Sequence, residues 1–207
     1  TNAPAAAGPA SPAAPVKRYG TCHALCIGIN EYAGDGGAVL ARGNLKAAEN
    51  DAQSIAGALH EYGFDPANTQ VLLGKDADRE TILKRFRYLA ASAGPDDVVI
   101  FFYAGHGISA TFERGTENER RRGYLMPARI DDPPPKDIGD DWYKKSLVPM
   151  EELADIARKS KARHTLLLLD CCFSGLVAGA TGRGSDEALN DYAELMAQPS
   201  CLAITAG

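Results

Sequence analysis

The sequence lacks the features that mark a membrane-spanning or secreted chain. No apolar run approaches the roughly 18 residues that a membrane-spanning helix requires. No basic start, apolar middle and small-residue cleavage site indicates a secretory signal. Positive charge is also scarce, because 22 Lys and Arg residues stand against 27 Asp and Glu residues, for a net charge of −5. This balance argues against nucleic acid or an anionic membrane as a partner.

Cysteine occurs at only five positions, an odd number that does not suggest a disulfide framework. None of the five forms a Cys-x-x-Cys pair or another metal-ligand spacing. We therefore expect reduced thiols in a cytoplasmic protein, with no bound metal and no cofactor.

The amino-terminal end has almost nothing to bury. Residues 1–16 read "TNAPAAAGPASPAAPV", and this Ala/Pro composition predicts a linker or disordered arm over residues 1–18. The chain has 207 residues, 45% of them hydrophobic. Residues 19–207 are therefore predicted to form one globular domain with a sizeable core.

From Tyr19 onward, short apolar runs alternate with segments of helical periodicity. Strands are predicted at residues 22–30, 69–74, 96–107, 164–172 and 201–207, and helices at residues 44–63, 78–94, 148–162 and 185–198. A long insertion separates the third strand from the third helix. Strands that are apolar on both faces and separated by helices indicate an α/β fold, with a parallel sheet covered on both sides.

Three helix ends carry sequence signals. Asn44 is a plausible N-cap for the first helix, and Gly63 is a plausible stop. Asp78 begins the second helix and is followed three residues later by Thr81, an incomplete capping box. Pro149 is expected near the first turn of the third helix.

Two reactive side chains lie at the carboxyl ends of predicted strands. The third strand runs into "YAGHG" and delivers His106, and the fourth runs into "DCCFSG" and delivers Cys172. Functional sites in parallel α/β sheets lie beyond the carboxyl ends of the strands. If these strands are neighbours, an imidazole and a thiol meet at one edge of the sheet, which is the pairing that nucleophilic attack on a carbonyl requires.

Two further features of this edge fit acyl transfer. The backbone N–H groups of Gly107 and Cys172 are the candidate donors to a developing oxyanion. Gly105 and Gly175 would let the two loops turn sharply. Cys171 and Cys172 point to opposite faces if the strand continues through them, but spacing alone does not decide which of the two faces the cleft.

These residues resemble the caspase–metacaspase clan of cysteine peptidases. The histidine motif is "FFYAGHG", the cysteine motif is "LLLLDCCFSG", and "NLKAAENDAQSIAGAL" and "ALCIGINEY" are similar to the first helix and first strand of that clan. His106 and Cys172 lie somewhat farther apart than the roughly 50 residues expected of animal caspases. The resemblance covers residues 19–207 and implies a three-layer fold with a mostly parallel central sheet.

The resemblance assigns a role to each matching residue. His106 is the general base, Cys172 is the nucleophile, and Cys171 becomes the inward thiol. Asp51 and Asp170 match the two carboxylates of the metacaspase specificity pocket, which implies cleavage of protein or peptide substrates after Arg or Lys. Two carboxylates would pair with a basic side chain and repel an acidic one.

The sequence departs from the clan's pattern in several places. Ala104 replaces a serine that contributes to the substrate pocket of many metacaspases, and Phe173 replaces the usual histidine after the cysteine. The carboxylates that bind calcium in eukaryotic metacaspases have no clear match here, so calcium activation stays open. The clan continues past Gly207 into a small-subunit portion, separated either by maturation or by the boundary of the sequence. Arg183 and Arg122 are candidate maturation sites.

Regulation is expected from the resemblance alone, through proteolytic maturation or an attached sensor domain, with regulated cell death as the associated process. Three alternatives stay open: a catalytically silent interaction module, a peptidase with Asp specificity, and a redox-sensing pair of Cys171 and Cys172. The other cysteines and histidines are interpreted as structural; they are Cys22, Cys26, Cys201, His23, His60 and His164. Arg42 is the basic residue that could serve an acidic-substrate pocket.

Overall fold

The computed structural model describes residues 19–36, 43–172 and 200–206. In chain order these residues form β1 (Cys22–Gly28), β2 (Ala33–Gly34), α1 (Ala48–Glu61), β3 (Thr69–Leu73), α2 (Arg79–Ser92), β4 (Val98–Ala104), β5 (Gly107–Phe112), β6 (Arg120–Leu125), β7 (Arg129–Ile130), α3 (Asp140–Ser146), β8 (Val148–Pro149), α4 (Met150–Arg158), β9 (His164–Asp170) and β10 (Ser200–Ala206). The predicted arm at residues 1–18 and the predicted helix at residues 185–198 lie outside the described residues.

The five predicted strands form one sheet in the order β10-β9-β4-β1-β3, and every pairing in it is parallel. All seven residues of β4, the central strand, are buried. This is the pattern of a strand covered on both faces, where β-branched and aromatic side chains pack well. The prediction of a parallel α/β sheet is confirmed.

Helices cover the two faces of the sheet and complete three layers. The small residues Ala48, Ala52 and Ala56 of α1 pack against one face. The opposite face packs against α2 and α4, which contribute larger side chains such as Phe86 and Leu153. Among the described residues, no helix is both long and apolar enough to cross a bilayer.

The predicted helix ends are partly right. Asp78 caps α2, since its carboxylate accepts a hydrogen bond from the Thr81 N–H at 2.9 Å. The Asn44 prediction is wrong, because α1 begins at Ala48 and the Asn44 side chain instead lies 3.5 Å from the Tyr32 N. The predicted stop is confirmed, because α1 ends at Glu61 and Gly63 follows the C-cap Tyr62 with a φ of 91°. Pro149 takes the cap position itself, just ahead of α4.

The long insertion is structured, which the sequence did not predict. Strands β5 and β6 form an antiparallel hairpin that also pairs with β8. Together with α3 this hairpin encloses a third core cluster that includes Tyr124, Met126 and Trp142. Residues 111–123, whose many charged side chains are typical of a solvated loop, therefore belong partly to the hairpin.

The hairpin also bears on one predicted maturation site. Arg122 lies inside β6, where it pairs with Ala110 of β5, and its guanidinium donates to Glu151 at 2.8 Å. A peptidase binds its substrate as an extended, accessible strand. Cleavage after Arg122 would therefore require the β5–β6 pairing to open first. The other candidate, Arg183, lies outside the described residues.

The sheet has its switch point between β1 and β4. The chain passes from β1 to β3 on one side, and then returns to place β4 on the other side of β1. The loops after β1 and β4 therefore diverge above the carboxyl edge and leave a crevice between them. Ligand sites of open α/β sheets lie in such crevices.

The opposite, amino edge of the sheet is held by Asp97. Its carboxylate accepts hydrogen bonds from the N–H groups of Thr21 at 2.6 Å and Gly94 at 2.7 Å, and it lies 3.4 Å from the Nε2 of His23. Burial alone would raise the pKa of Asp97, but these hydrogen bonds outweigh it and hold the pKa below its usual range.

Asp97→Asn is expected to destabilise the fold by about 1–3 kcal/mol at pH 7, because the amide cannot satisfy all of these donors. A lowered folded-state pKa gives stability that is present above the unfolded value of about 3.9. That stability is lost as the pH falls through the folded pKa. Urea unfolding should therefore show a smaller difference in the free energy of unfolding between the native protein and the variant at pH 3 than at pH 7. The matched control is Asp137→Asn, on an exposed loop. A difference in unfolding free energy between Asp97→Asn and the native protein that does not change with pH would contradict the expectation.

Candidate active site

The register of the sheet brings His106 and Cys172 to equivalent places. Ala104, the last residue of β4, is paired with Asp170, the last residue of the neighbouring β9. The Gly105 N–H continues the pairing to the Asp170 carbonyl oxygen at 3.3 Å. His106 and Cys172 each follow two residues after these aligned strand ends, at the same edge of the sheet. The expectation that the two strands are neighbours is confirmed.

A single cleft of about 550 Å³ contains the predicted site residues. It is bounded by the end of β4, the end of β9 and the start of α1. The predicted residues that line it are Asp51, Ala104, His106, Asp170 and Cys172, and the remaining lining residues are Leu45, Lys46, Ala47, Ala48, Gly105 and Cys171. Gly107 directly follows this lining, as the first residue of β5.

The structure separates the two adjacent thiols. Cys171 is 6% exposed and belongs to the core, whereas Cys172 is exposed. Burial, with smaller contributions from Cys172 and Asp170, raises the pKa of Cys171 to about 12. Cys171 therefore remains a protonated thiol at neutral pH, which does not suit the redox alternative. The orientation that spacing left open is decided by the turn after β9.

The imidazole of His106 is held by the connection between β1 and α1. Its Nε2 lies 2.9 Å from the carbonyl oxygen of Gly43. A carbonyl oxygen only accepts hydrogen bonds, so Nε2 carries a proton and donates it. In the neutral imidazole this leaves Nδ1 with a free lone pair. The ring of Tyr32 packs on the imidazole, with 4.9 Å between the ring centroids.

Gly107 is pressed against the cysteine loop. A Cβ at this position would fall well inside 3.0 Å of the Cys172 carbonyl oxygen, and 3.1 Å from the Cys171 Sγ. The absence of a side chain at Gly107 therefore makes room for the Cys172 backbone. The two candidate oxyanion donors therefore belong to loops in direct contact.

The two carboxylates of the cleft come from different elements. Asp170 ends β9, and Asp51 lies in the first turn of α1. Asn30, after β1, fixes the start of α1, because its amide oxygen accepts from the Glu49 N–H and its own N–H donates to the Glu49 carboxylate, both at 3.3 Å. Ala104 is 2% exposed and adds no polar group to the cleft.

Sequence reasoning missed the contribution of the β1–α1 connection. Tyr32, Gly43 and Lys46 all touch the histidine or line the cleft, yet none was singled out. The switch-point rule could have found them, because it applies to the loop after β1 as much as to the loop after β4. Four named positions lie outside the described residues: Arg42, Phe173, Gly175 and Arg183.

No cluster of three or more His, Cys, Asp or Glu side chains suited to a metal ion occurs within residues 19–36, 43–172 and 200–206. Three acidic residues of the insertion pair with basic side chains. Asp140 accepts from Lys144 at 2.7 Å, Asp132 pairs with Lys145 at 2.8 Å, and Asp131 pairs with Arg129.

The sequence profile of the caspase domain, peptidase C14, matches residues 21–201, which is most of the chain. The chain belongs to the caspase-domain family. This agrees with the parallel sheet, with its helices on both faces, and with the two motifs at adjacent strand ends. The resemblance seen in the sequence is confirmed, and the caspase domain is a domain of cysteine-type peptidases.

Several curated relatives of this caspase domain are metacaspases. Metacaspase III c of Phaeodactylum tricornutum is 25% identical over 171 residues, covering 79% of this chain and 45% of that protein. Metacaspase-2 of Trypanosoma brucei brucei is 28% identical over 168 residues, covering 76% of this chain and 42% of that protein. Metacaspase-1A of Aspergillus oryzae is 30% identical over 135 residues, covering 60% of this chain and 30% of that protein. The chain therefore spans less than half the length of these relatives.

The fold of the caspase domain also resembles a solved structure. The crystal structure of a protein from Geobacter sulfurreducens superposes with a TM-score of 0.58 at 21% identity. The match covers 74% of this chain and 51% of that one. At this identity the likeness supports the architecture of the sheet and its helices.

Proposed function

We propose that the chain is the large-subunit portion of a cysteine endopeptidase that hydrolyses peptide bonds after Arg or Lys, using Cys172 and His106 as a dyad. The observation that carries the proposal is the shared cleft, where Cys172 and His106 stand beside the carboxylates of Asp51 and Asp170. An exposed thiol beside an imidazole with a free nitrogen is the arrangement that acyl transfer by cysteine requires.

The dyad supplies every proton transfer of the reaction. Nδ1 of His106 accepts the thiol proton of Cys172, and the thiolate attacks the substrate carbonyl carbon to form a C–S bond. The imidazolium then gives this proton to the amide nitrogen as the C–N bond breaks. Water, deprotonated by the same Nδ1, hydrolyses the thioester and restores the thiol. The Gly43 carbonyl supports this cycle because it holds the proton of the imidazole on Nε2.

The oxyanion would be bound by the N–H groups of Gly107 and Cys172. Hydrogen-bonded and non-hydrogen-bonded pairs alternate along an antiparallel ladder. The Met126 N–H donates to the His106 carbonyl oxygen at 2.9 Å, so the next pair, Gly107 with Leu125, is of the non-hydrogen-bonded kind. The Gly107 N–H therefore points away from β6, which supports its role as a donor to substrate.

The carboxylates of Asp51 and Asp170 support basic specificity. An arginine guanidinium or lysine ammonium placed between them would form charge-assisted hydrogen bonds, whereas an aspartyl side chain would be repelled. Ala104 forms an apolar part of the cleft wall against which the stem of a long basic side chain can pack. Lys46, also on the lining, is the basic side chain that such a substrate would have to avoid.

The small-subunit portion implied by the resemblance is the proposed partner within the precursor. β10 is an outermost strand of the described sheet, and its side chains Leu202 and Ile204 are 56% and 54% exposed. An apolar strand of this kind at a sheet edge fits a further element packed against it. The five free cysteines support the cytoplasm as the proposed location.

A peptide electrophile tests the proposed function. An acyloxymethyl ketone that ends in Arg is expected to modify Cys172, with peptide mapping by mass spectrometry as the readout. The reaction should disappear in His106→Ala, and a matched aspartyl ketone should react far more slowly. Both reagents are used with and without calcium, since the resemblance leaves calcium activation open. Preferential reaction with the aspartyl reagent would replace basic by acidic specificity, and no reaction with either would favour a silent interaction module.

A further inference from the structure

Tyr32 packs on the face of the proposed catalytic histidine. Its ring centroid lies 4.9 Å from that of His106, and the two planes are inclined by 35°. The side chain is half-buried and contacts two core clusters. One lies between the sheet and helices α2 and α4, and the other is enclosed by the β5–β6 hairpin and α3. The tyrosine ring is therefore fixed by the fold and not by the histidine that it contacts.

The hydroxyl of Tyr32 holds the backbone of the histidine loop. It accepts a hydrogen bond from the His106 N–H at 2.7 Å and lies 3.2 Å from the Ile29 carbonyl oxygen, to which it donates. Burial raises the pKa of this hydroxyl, so it keeps its proton at neutral pH and can serve both partners. The ladder partner of the His106 N–H would have been the Met126 carbonyl oxygen, which instead accepts from the Tyr103 hydroxyl at 2.7 Å.

Both tyrosine hydroxyls also contact the loop at Gly105. A Cβ at Gly105 would lie 2.5 Å from the Tyr103 Oη and 2.8 Å from the Tyr32 Oη. Only glycine leaves room for both hydroxyls at this point. Both hydroxyls therefore lie against the backbone of Gly105, one residue before the imidazole, on the side where a side chain would project.

We propose that Tyr32 is a positioning residue, which holds the backbone of His106 through its hydroxyl and the plane of the imidazole through its ring. The χ2 torsion of a histidine is broad, so an unsupported imidazole swings about it. The Gly43 carbonyl fixes one edge of the ring, and the Tyr32 ring fixes its plane. Together they direct Nδ1 in one orientation, on which the rate of proton transfer depends.

This inference rests on the proposed function, because it needs His106 to act as the base. Its test compares Tyr32→Phe, which loses only the hydroxyl, with Tyr32→Leu, which loses the ring as well. For an arginyl peptide we expect kcat to fall about tenfold in the first variant and about 10²-fold in the second, with KM changed by less than about twofold. The rate at which iodoacetamide alkylates Cys172 should fall in the same order.

The matched control is Tyr62→Leu, since Tyr62 is 85% exposed after the end of α1. This control should keep native kcat and alkylation rate. A tyrosine with a merely structural role would lower the melting temperature without a graded loss of kcat. If Tyr32→Leu does not fold at the assay temperature, Tyr32→Phe decides: a native kcat in that variant overturns the inference.

The failure of the inference and that of the proposed function can be told apart. A native protein that neither cleaves the arginyl peptide nor reacts with the arginyl ketone would overturn both. A native protein that is active, together with Tyr32 variants of undiminished kcat, would overturn the role of Tyr32 alone.

Discussion

Replacing Cys172 with alanine is expected to lower kcat for an arginyl peptide by about 10⁴-fold or more, because no other exposed thiol lines the cleft among the described residues. His106→Ala should reduce kcat by a similar factor, since the thiol then has no base. The double variant should be about as slow as either single variant, because the two groups act as one unit. Steady-state kinetics on the three variants checks all of these expectations.

The control for this series is Cys22→Ala, a thiol at the amino end of β1, on the opposite edge of the sheet from the cleft. It should retain native kcat. The dyad would be ruled out by hydrolysis that persists in Cys172→Ala. It would also be ruled out if the effects of the two substitutions multiplied in the double variant. Cys171 cannot substitute for Cys172, because its sulfur is buried and its pKa is raised to about 12.

Removing the charge from either carboxylate of the cleft is expected to lower kcat/KM for an arginyl peptide by about 10²-fold, in Asp51→Asn and in Asp170→Asn alike. With one carboxylate left, the substrate guanidinium loses a charge-assisted hydrogen bond. Such a loss lowers the binding free energy of a desolvated ion pair by a few kcal/mol. The double variant should lose about 10³-fold or more. Cleavage of an aspartyl peptide should stay the same or rise, because the repulsion is relieved.

Asp76→Asn is the matched control for the charge series, since Asp76 is exposed in the turn after β3. It should leave the preference for Arg over Asp unchanged. Unaltered arginyl cleavage in both single variants would remove Asp51 and Asp170 from the specificity pocket. In that case Lys46, on the lining of the same cleft, would become the residue to examine for acidic specificity.

The sequence was sufficient to predict the layers and the strand order along the chain, although β4 and β9 end at residues 104 and 170, a few residues before the predicted ends at 107 and 172. Buried strands such as β4 are apolar throughout, and α2 carries its apolar residues at helical spacing. Both patterns can be recognised in the sequence. His106 and Cys172 stand directly after such strands. Parallel strands end at one edge, so their meeting could be inferred before any contact was known.

The insertion could not be predicted in the same way. The β5–β6 hairpin includes the charged run Arg120–Arg122, which looks like part of a solvated loop in the sequence. In the structure Arg120 pairs with Glu113 and Arg122 pairs with Glu151. Its stability comes from a core that unites β5, β6 and α3, including Tyr124 and Trp142. Such contacts link distant residues and leave no local period to detect.

The sequence by itself determined which chemistry the protein can carry: a thiol, an imidazole and two carboxylates at the ends of elements whose order is set by local periodicity. Only the tertiary structure decided which thiol is exposed, which imidazole nitrogen is free, and that Tyr32 and Gly43 hold the histidine. The physical reason is that exposure and hydrogen bonding depend on which chain segments meet. Cys171 is buried because the core lies behind the turn after β9, and the Nδ1 of His106 is free because Gly43, 63 positions earlier, offers a carbonyl to Nε2.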